Sequence, residues 1–148
     1  MYEIDLSTLM LIGIDNNKTK VVTKDNDLIV EQSAKKIIDT SCKYFGCSLA
    51  DRIKFTKRYV NMNSKSPIII EDTRNIIFFP LKSPRENNNI WISFNNLKSY
   101  VKEGNKTNLI FKNGKKVPLE FSYYIIDNQV TRSLILDYEI KVRRKNLK

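Results

Sequence analysis

The apolar residues in the middle of this chain occur in short runs bounded by turn residues. Ile68–Ile70 and Ile76–Phe79 contain only β-branched or aromatic residues, and Pro80 directly follows the second run. Ile90–Phe94 is a third run of similar character. Runs this short and this rich in β-branched and aromatic residues favour buried β-strands, because helices need a longer periodic pattern. We therefore expect a fold dominated by short strands.

Two other segments have the pattern of antiparallel hairpins. Leu109–Lys112 and Val117–Phe121 flank Asn113–Gly114, a dipeptide that favours a type I′ turn. Pro118 has no backbone N–H to donate, which predicts that the second of these strands lies at a sheet edge. Near the N-terminus, Asp- and Asn-rich turns separate three apolar stretches. They predict an antiparallel meander with strands over Leu9–Ile14, Thr19–Thr23 and Leu28–Glu31.

Helical spacing is confined to a few segments. Ser33 is a suitable N-cap for a helix over residues 34–45, and Gly46 is a natural place for that helix to end. A short second helix is predicted over Leu49–Phe55, and a helical turn over Asn95–Val101.

A longer helix is predicted near residues 123–139, with Ser122 as its N-cap. Helical spacing predicts an inner stripe made of Tyr124 or Ile125, Val130, Leu134 and Tyr138. The basic segment Lys141–Lys148 is expected to fray. No repeat or linker divides the 148 residues. We therefore expect a single α+β domain of short antiparallel strands and hairpins, with helices near residues 34–45 and 123–139.

The positive charge is concentrated in one part of the chain. The net charge is +10, but residues 1–40 carry −2 and residues 41–148 carry +12. An uneven excess of cations is typical of a protein that binds a polyanion such as nucleic acid. The chain also holds 19 Lys, 19 Ile and 16 Asn, a composition that an A/T-rich genome produces without any such function.

The sequence has no histidine, which excludes the common His-dependent enzymes and His-ligated zinc sites. Adjacent acidic residues occur only at Glu71–Asp72, so a metal-dependent nuclease is a remote alternative. Cys42 and Cys47 are expected to be reduced and buried, with a thiol switch as the alternative. The acidic N-terminus and the lack of a membrane-length apolar run predict a cytoplasmic protein.

Three blocks of residues carry a family resemblance through their order and spacing. The first block is Ser41–Arg52. The second is Asn75–Pro80, leading on to Ser83, Arg85 and Trp91–Ser93. The third comprises Phe111–Lys115, Ser122–Tyr123 and Asn128–Arg132. Together they resemble the ComK family, bacterial transcription factors that switch on competence for DNA uptake.

The resemblance runs from about Asp39 to about Tyr138 and implies a DNA-binding regulator without enzymatic activity or cofactor. Family members are associated with paired A/T-rich boxes read through the minor groove, which implies double-stranded DNA as the partner and a homo-oligomer on it. The resemblance also implies RNA polymerase as a partner, and it implies no association with a membrane. Asp51 stands where the family often has a small residue.

Longer family members have a C-terminal extension associated with self-assembly and with a proteolytic adaptor. For a chain without this extension, the resemblance implies DNA binding more directly than cooperative assembly, activation or adaptor recognition. The alternative is a short, non-activating paralogue that acts as an interaction or competitor protein.

Candidate DNA contacts fall in all three blocks. In the first block and the residues that directly follow it, they are Lys43, Arg52, Lys54, Lys57 and Arg58, as phosphate or groove contacts. In the second they are Lys82 and Arg85, of which Arg85 is the candidate for minor-groove insertion. Trp91 is expected to be a core residue.

In the third block the hairpin lysines Lys112, Lys115 and Lys116 are candidate phosphate contacts. Asn128, Gln129 and Arg132 lie near one helix face, where Asn and Gln could contact adenine edges. Phosphate contacts or internal hydrogen bonds are the alternatives for these three. Neutralisation of roughly six to ten phosphates predicts a log–log salt slope of roughly −5 to −9.

Overall fold

The computed structural model describes residues 1–61 and 64–146. Within them the chain forms nine strands and three helices. The strands are β1 (Thr8–Asp15), β2 (Lys18–Thr23), β3 (Asp27–Val30), β4 (Ile68–Glu71), β5 (Ile76–Pro80), β6 (Ile90–Ser93), β7 (Leu97–Glu103), β8 (Lys106–Phe111) and β9 (Lys116–Leu119). The helices are α1 (Ala34–Tyr44), α2 (Leu49–Tyr59) and α3 (Tyr123–Asn146). Every strand pair is antiparallel, so the predicted α+β class is confirmed.

The larger sheet has six strands in the order β3-β2-β1-β6-β5-β4. Strands β1 to β3 form the predicted N-terminal meander. The long-range pairing of β1 with β6, in which Met10 lies opposite Ile92, joins this meander to strands β4, β5 and β6. The N-terminal segment is therefore an integral part of the main sheet.

The smaller sheet has the order β7-β8-β9 and corrects one prediction. Residues 97–101 belong to strand β7 and do not form the helical turn predicted there. The segment pairs with β8 along its whole length, through a two-residue loop in which Gly104 has a φ of 60°. Pairing with a neighbouring strand outweighs a weak local preference here.

The predicted hairpin at Asn113–Gly114 is confirmed, but the type I′ turn is wrong. A type I′ turn needs positive φ at both central residues, and only Gly114 has it, at 93°. The Phe111 carbonyl accepts the Gly114 N–H (2.9 Å), and the Lys115 carbonyl accepts the Phe111 N–H (2.9 Å). This is a three-residue loop with glycine in the left-handed position. Strand β9, with Pro118, lies at a sheet edge as predicted.

The helix starts agree with the sequence, but α2 and α3 are longer than predicted. Ser33, Ser48 and Ser122 accept backbone N–H groups at the starts of α1, α2 and α3. Gly46, with a φ of 96°, follows α1. Helix α3 continues to Asn146, so residues 141–146 are helical and not the fraying tail that was predicted. Leu147 and Lys148 lie outside the described residues.

The predicted inner face of α3 is wrong in part. Its buried residues are Ile126, Gln129, Ser133, Leu136 and Ile140. Tyr124, Leu134 and Tyr138 are 75%, 53% and 65% exposed, whereas Ile125 and Val130 do pack against the core. Apolar residues surround this helix, so the periodicity alone could not identify the face that packs on the sheet.

The six-stranded sheet is buried on both faces. Phe78 and Trp91 face one core, which α1 and α2 cover. Phe79 and Ile92 face a second core, which the smaller sheet and α3 cover. Each fully buried large side chain contributes about 1.5–3 kcal/mol of transfer free energy. Trp91 is 1% exposed, so it is the core residue that was expected. Among the described helices, none is long and apolar enough to cross a membrane.

A carboxylate joins α1 to α2 and makes folding sensitive to acid. The pKa of Asp39 is lowered, chiefly because its Oδ1 accepts the backbone N–H of Leu49 (2.9 Å), and also because Lys43 lies 3.1 Å away. A carboxyl group with a lowered folded pKa stabilises the fold above the unfolded pKa of about 3.9. That contribution disappears as the pH falls through the folded pKa.

We expect the Asp39→Asn variant to lose less stability than the wild type as the pH falls below about 4. Urea denaturation at a series of pH values between about 6 and 3 measures this difference. Asp25→Asn, at an exposed turn, is the matched control and should follow the wild-type profile. An Asp39→Asn profile that parallels the wild type would contradict the assignment.

Candidate nucleic-acid interface

Cationic side chains from all three helices and two loops meet in one groove, here called the basic groove. Its larger part is a cavity of about 460 Å³, and it adjoins a depression of about 250 Å³ with which it shares Ser64 and Lys65. The cationic side chains of the basic groove are Lys35, Lys57, Lys65, Arg85 and Arg132. Among the described residues that line it, none is acidic. A concave surface lined by one sign of charge concentrates ions of the opposite sign.

The central wall of the groove is the segment that leads into β4. Gln129 of α3 donates its Nε2 to the carbonyl oxygens of Lys65 (2.8 Å) and Pro80 (2.6 Å). Thr56 of α2 donates its hydroxyl to the Pro67 carbonyl (2.7 Å). These bonds hold Lys65 in a left-handed conformation with a φ of 54°. The wall is therefore positioned by α2 and α3 together.

The opposite rim is the loop between β5 and β6, which carries Arg85. Asn89 is 1% exposed and binds this loop from within. Its Oδ1 accepts the N–H groups of Lys82 (2.9 Å) and Ile90 (2.8 Å), and its Nδ2 donates to the carbonyls of Lys82 (3.0 Å) and Ser83 (3.1 Å).

Strand β1 supports the same loop. The Gly13 N–H donates to the Asn89 carbonyl (2.8 Å). A Cβ at Gly13 would overlap the carbonyl oxygen of Asn87, so only glycine fits there without a shift of the loop. The N-terminal meander thus helps to position Arg85.

One polar atom in the groove has no hydrogen-bond partner among the residues that the structure describes. Ser66 is 3% exposed and lines the groove, and its Oγ is the atom without such a partner. Buried hydroxyl groups are usually paired, and an unpaired one at a binding surface suggests a partner supplied by a ligand. A hydroxyl beside lysine and arginine side chains can donate to a phosphate oxygen.

Five of the sequence-predicted contacts lie in the groove. They are Lys57, Arg85, Asn128, Gln129 and Arg132. Gln129 is only 2% exposed and its hydrogen bonds are internal, so it supports the groove and does not present its amide to a ligand. Arg132 donates to the Ser64 carbonyl (3.3 Å) and to Gln129 Oε1 (3.0 Å). Asn128 is exposed.

The other predicted contacts lie outside the groove. Lys43 pairs with Asp39, and Lys115 pairs with Asp27 (3.0 Å) and donates to the Thr23 carbonyl. Lys54 and Arg58 are exposed on α2, and Lys116 is exposed at the start of β9. Lys82 is half-buried beside Asn89, and Lys112 lines a different cleft.

Arg52 is also half-buried and does not line the groove. Its Nε is buried and has no hydrogen-bond partner in the described part of the chain, and its charge lowers the pKa of the Cys42 thiol. Burial nevertheless raises the pKa of Cys42 to about 12. The Cys42 thiol is therefore protonated at neutral pH, as expected for a packed core residue.

Sequence reasoning missed three groove residues: Lys35, Lys65 and Ser66. Lys35 lies before the first of the three blocks, in a part of the chain with net negative charge. Lys65 and Ser66 lie in a polar break between α2 and β4 that carries no motif. Only the packing of α1 and α2 against the sheet brings these residues to Arg85.

Comparisons with known proteins agree with the resemblance. The model of the family described as "ComK protein" matches residues 1–145. A "Competence transcription factor" from Bacillus subtilis (strain 168) is 32% identical over 136 residues, which cover 89% of this chain and 71% of the relative. No solved structure gives a significant match. The family match spans almost the whole chain, including the N-terminal meander that lay outside the three blocks. On this evidence, the chain belongs to the ComK family.

Proposed function

We propose that this protein is a competence transcriptional regulator that binds duplex DNA through the basic groove. The single observation that carries the proposal is that five cations from segments far apart in the chain meet in one groove, whose described lining residues include no acid. Membership of the ComK family and the similarity to the B. subtilis competence transcription factor support the regulatory role.

The groove is suited to phosphates along a duplex. Lys35, Lys57 and Lys65 can each neutralise one phosphate, and the free Ser66 hydroxyl can donate to another. Arg85 lies exposed on a loop that is held firmly at its base, which suits insertion into the narrow minor groove of A/T-rich DNA. We propose four further DNA contacts outside the groove: the exposed Lys54, Arg58 and Lys116 and the half-buried Lys82.

We propose a single DNA-binding domain that acts in the cytoplasm as an activator and is not an enzyme. Paired boxes require more than one protomer, so a homo-oligomer on DNA is part of the proposal. Contact with RNA polymerase would follow from activation. A proteolytic adaptor is the least supported partner.

The test compares a duplex that has two A/T-rich boxes with a scrambled duplex of the same composition. Binding is followed by fluorescence anisotropy at about 150 mM salt, with and without a minor-groove drug. We expect preferential binding to the boxes, abolished by the drug. Equal, salt-sensitive binding to both duplexes would contradict box recognition, and no binding would overturn the DNA proposal. Transcription of a reporter behind paired boxes tests the activator role separately.

A further inference from the structure

A second cleft lies between α3 and the smaller sheet, and it is here called the α3 cleft. It has a volume of about 460 Å³, within the usual range for small-molecule sites. Val130, Leu134, Asp137 and Lys141 of α3 line it, at helical spacings of three and four. It shares no lining residue with the basic groove, which uses Asn128 and Arg132 of the same helix.

The uncompensated positive charge of the α3 cleft balances the charge of one dianion. Four cations line it, but Arg74 pairs with Glu71 (3.4 Å) and Lys141 pairs with Asp137 (2.8 Å). Within the part of the chain that the structure describes, Lys98 and Lys112 have no acidic partner within 4.0 Å. Two uncompensated positive charges in one concave site match a single phosphate group, which carries nearly two negative charges at neutral pH.

The cleft also contains an acceptor without a donor. Asn75 donates its Nδ2 to Asp137 Oδ1 (2.9 Å), while its own Oδ1 is buried and has no partner within residues 1–61 and 64–146. Asn75 adopts a left-handed conformation with a φ of 54°, which is uncommon outside glycine. A buried carbonyl oxygen usually accepts a hydrogen bond, and a hydroxyl or amino group of a ligand can supply the donor. A carboxylate brings no such donor, whereas an organic phosphate can carry a hydroxyl or amino group at a distance from its phosphate.

An apolar floor completes the site. Phe94 and Leu97 lie on the sheet side, and Leu134 of α3, which is 53% exposed, lies opposite. Exposed apolar side chains beside a few convergent polar groups are typical of ligand pockets. The floor suits a flat or apolar portion of a ligand that has its phosphate at the lysines.

We infer that the α3 cleft binds a small organic phosphate of about the size of a nucleoside monophosphate. The phosphate lies between Lys98 and Lys112, a hydroxyl or amino group donates to Asn75 Oδ1, and the apolar portion packs on Phe94 and Leu134. The inference goes beyond the proposed DNA binding and does not depend on it.

The test is a calorimetric titration of the full chain with adenosine 5′-monophosphate and, separately, with inorganic phosphate. We expect the mononucleotide to bind with a Kd below about 1 mM and inorganic phosphate to bind more weakly. The Lys98→Ala/Lys112→Ala variant should bind the mononucleotide at least about tenfold more weakly, because charge-assisted hydrogen bonds contribute about 1.5–3 kcal/mol. Lys18→Ala/Lys102→Ala removes two exposed lysines outside the cleft and should leave the Kd unchanged.

A second variant tests the acceptor. Asn75→Gly accepts the left-handed backbone and removes the side-chain carbonyl. It should reduce the preference for the mononucleotide over inorganic phosphate, and thermal unfolding shows whether the variant remains folded. An unchanged preference in a folded variant would overturn the role of Asn75.

Three results would overturn the inference. The first is no binding of the mononucleotide up to about 10 mM, and the second is equal weakening of mononucleotide binding in both double-lysine variants. The third is displacement of the mononucleotide by duplex DNA, combined with DNA binding that depends on Lys98 and Lys112. The last result would make the α3 cleft a DNA-phosphate site and leave the proposed function intact. Conversely, failure of DNA binding would not affect the titration.

Discussion

The Lys35→Gln/Lys57→Gln/Arg85→Gln variant is expected to bind duplex DNA about a hundredfold more weakly than the wild type at about 0.15 M salt. Each substitution removes one charge from the basic groove and keeps most of the side-chain stem. Each phosphate contact contributes about 0.9 to the log–log salt slope, so the loss of Lys35 and Lys57 should make the slope shallower by about 1.8, while the loss of Arg85 removes the minor-groove contact. Anisotropy titrations at several salt concentrations measure both quantities.

The matched control carries the same loss of charge elsewhere. Lys18→Gln, Lys24→Gln and Lys102→Gln replace three exposed lysines that do not line the groove. This variant should keep the wild-type salt slope, because only cations that contact phosphates release counterions. If the two triple variants lose affinity equally, binding follows net charge alone and the basic groove is not the interface.

The basic groove also predicts the log–log salt slope of DNA binding by the wild-type protein. The four cations of the groove other than Arg85 give a slope of about −3.6 when each neutralises one phosphate, which is shallower than the range predicted from the sequence. Peripheral contacts from residues such as Lys54 and Arg58 would bring the slope into that range. A slope shallower than about −2 would contradict the proposed surface.

The second large effect is expected at Asn89, in the loop that carries Arg85. Asn89→Ala leaves two N–H groups and two carbonyls of Lys82, Ser83 and Ile90 without their side-chain partner. Unpaired buried polar groups cost about 1–3 kcal/mol each, and partial access to water reduces the total. We expect the free energy of unfolding to fall by about 4 kcal/mol and the Tm by about 10 °C.

Urea and thermal denaturation measure the loss, and Asn88→Ala is the control. Asn88 is the neighbouring asparagine and is exposed, so its replacement should change the free energy of unfolding by less than about 0.5 kcal/mol. An Asn89→Ala variant as stable as Asn88→Ala would show that the loop does not depend on this side chain. DNA affinity should fall with Asn89→Ala even where the variant is fully folded, because Arg85 loses its fixed position.

The local sequence predicted most structural features that depend on neighbouring residues. Ser33 and Ser122 were identified as N-caps because a serine hydroxyl can accept an N–H group two or three residues ahead. Gly46 and Gly114 were placed correctly because left-handed positions favour glycine. The type I′ prediction at Asn113 failed because the three-residue loop is compatible with the same dipeptide.

Prediction from the sequence was less accurate where the structure depends on contacts between residues that are far apart in the chain. Leu97–Glu103 has mixed local preferences, and its pairing with β8 makes it a strand. The buried face of α3 follows from its packing on β5, which brings Gln129 to Pro80 and Lys65. Of the groove cations, the contacts predicted from the sequence included Lys57, Arg85 and Arg132, while Lys35 and Lys65 were not among them.

The sequence by itself determined the fold class, most of the strands, the helix starts and the family, because each rests on side chains close together in the chain or on a spaced motif. Only the tertiary structure decided which cations act together and which are neutralised by partners such as Asp27 and Asp39. The physical reason is that a binding surface depends on distances across the fold. Burial of the six-stranded sheet on both faces brings α1, α2, α3 and the Arg85 loop within reach of one ligand.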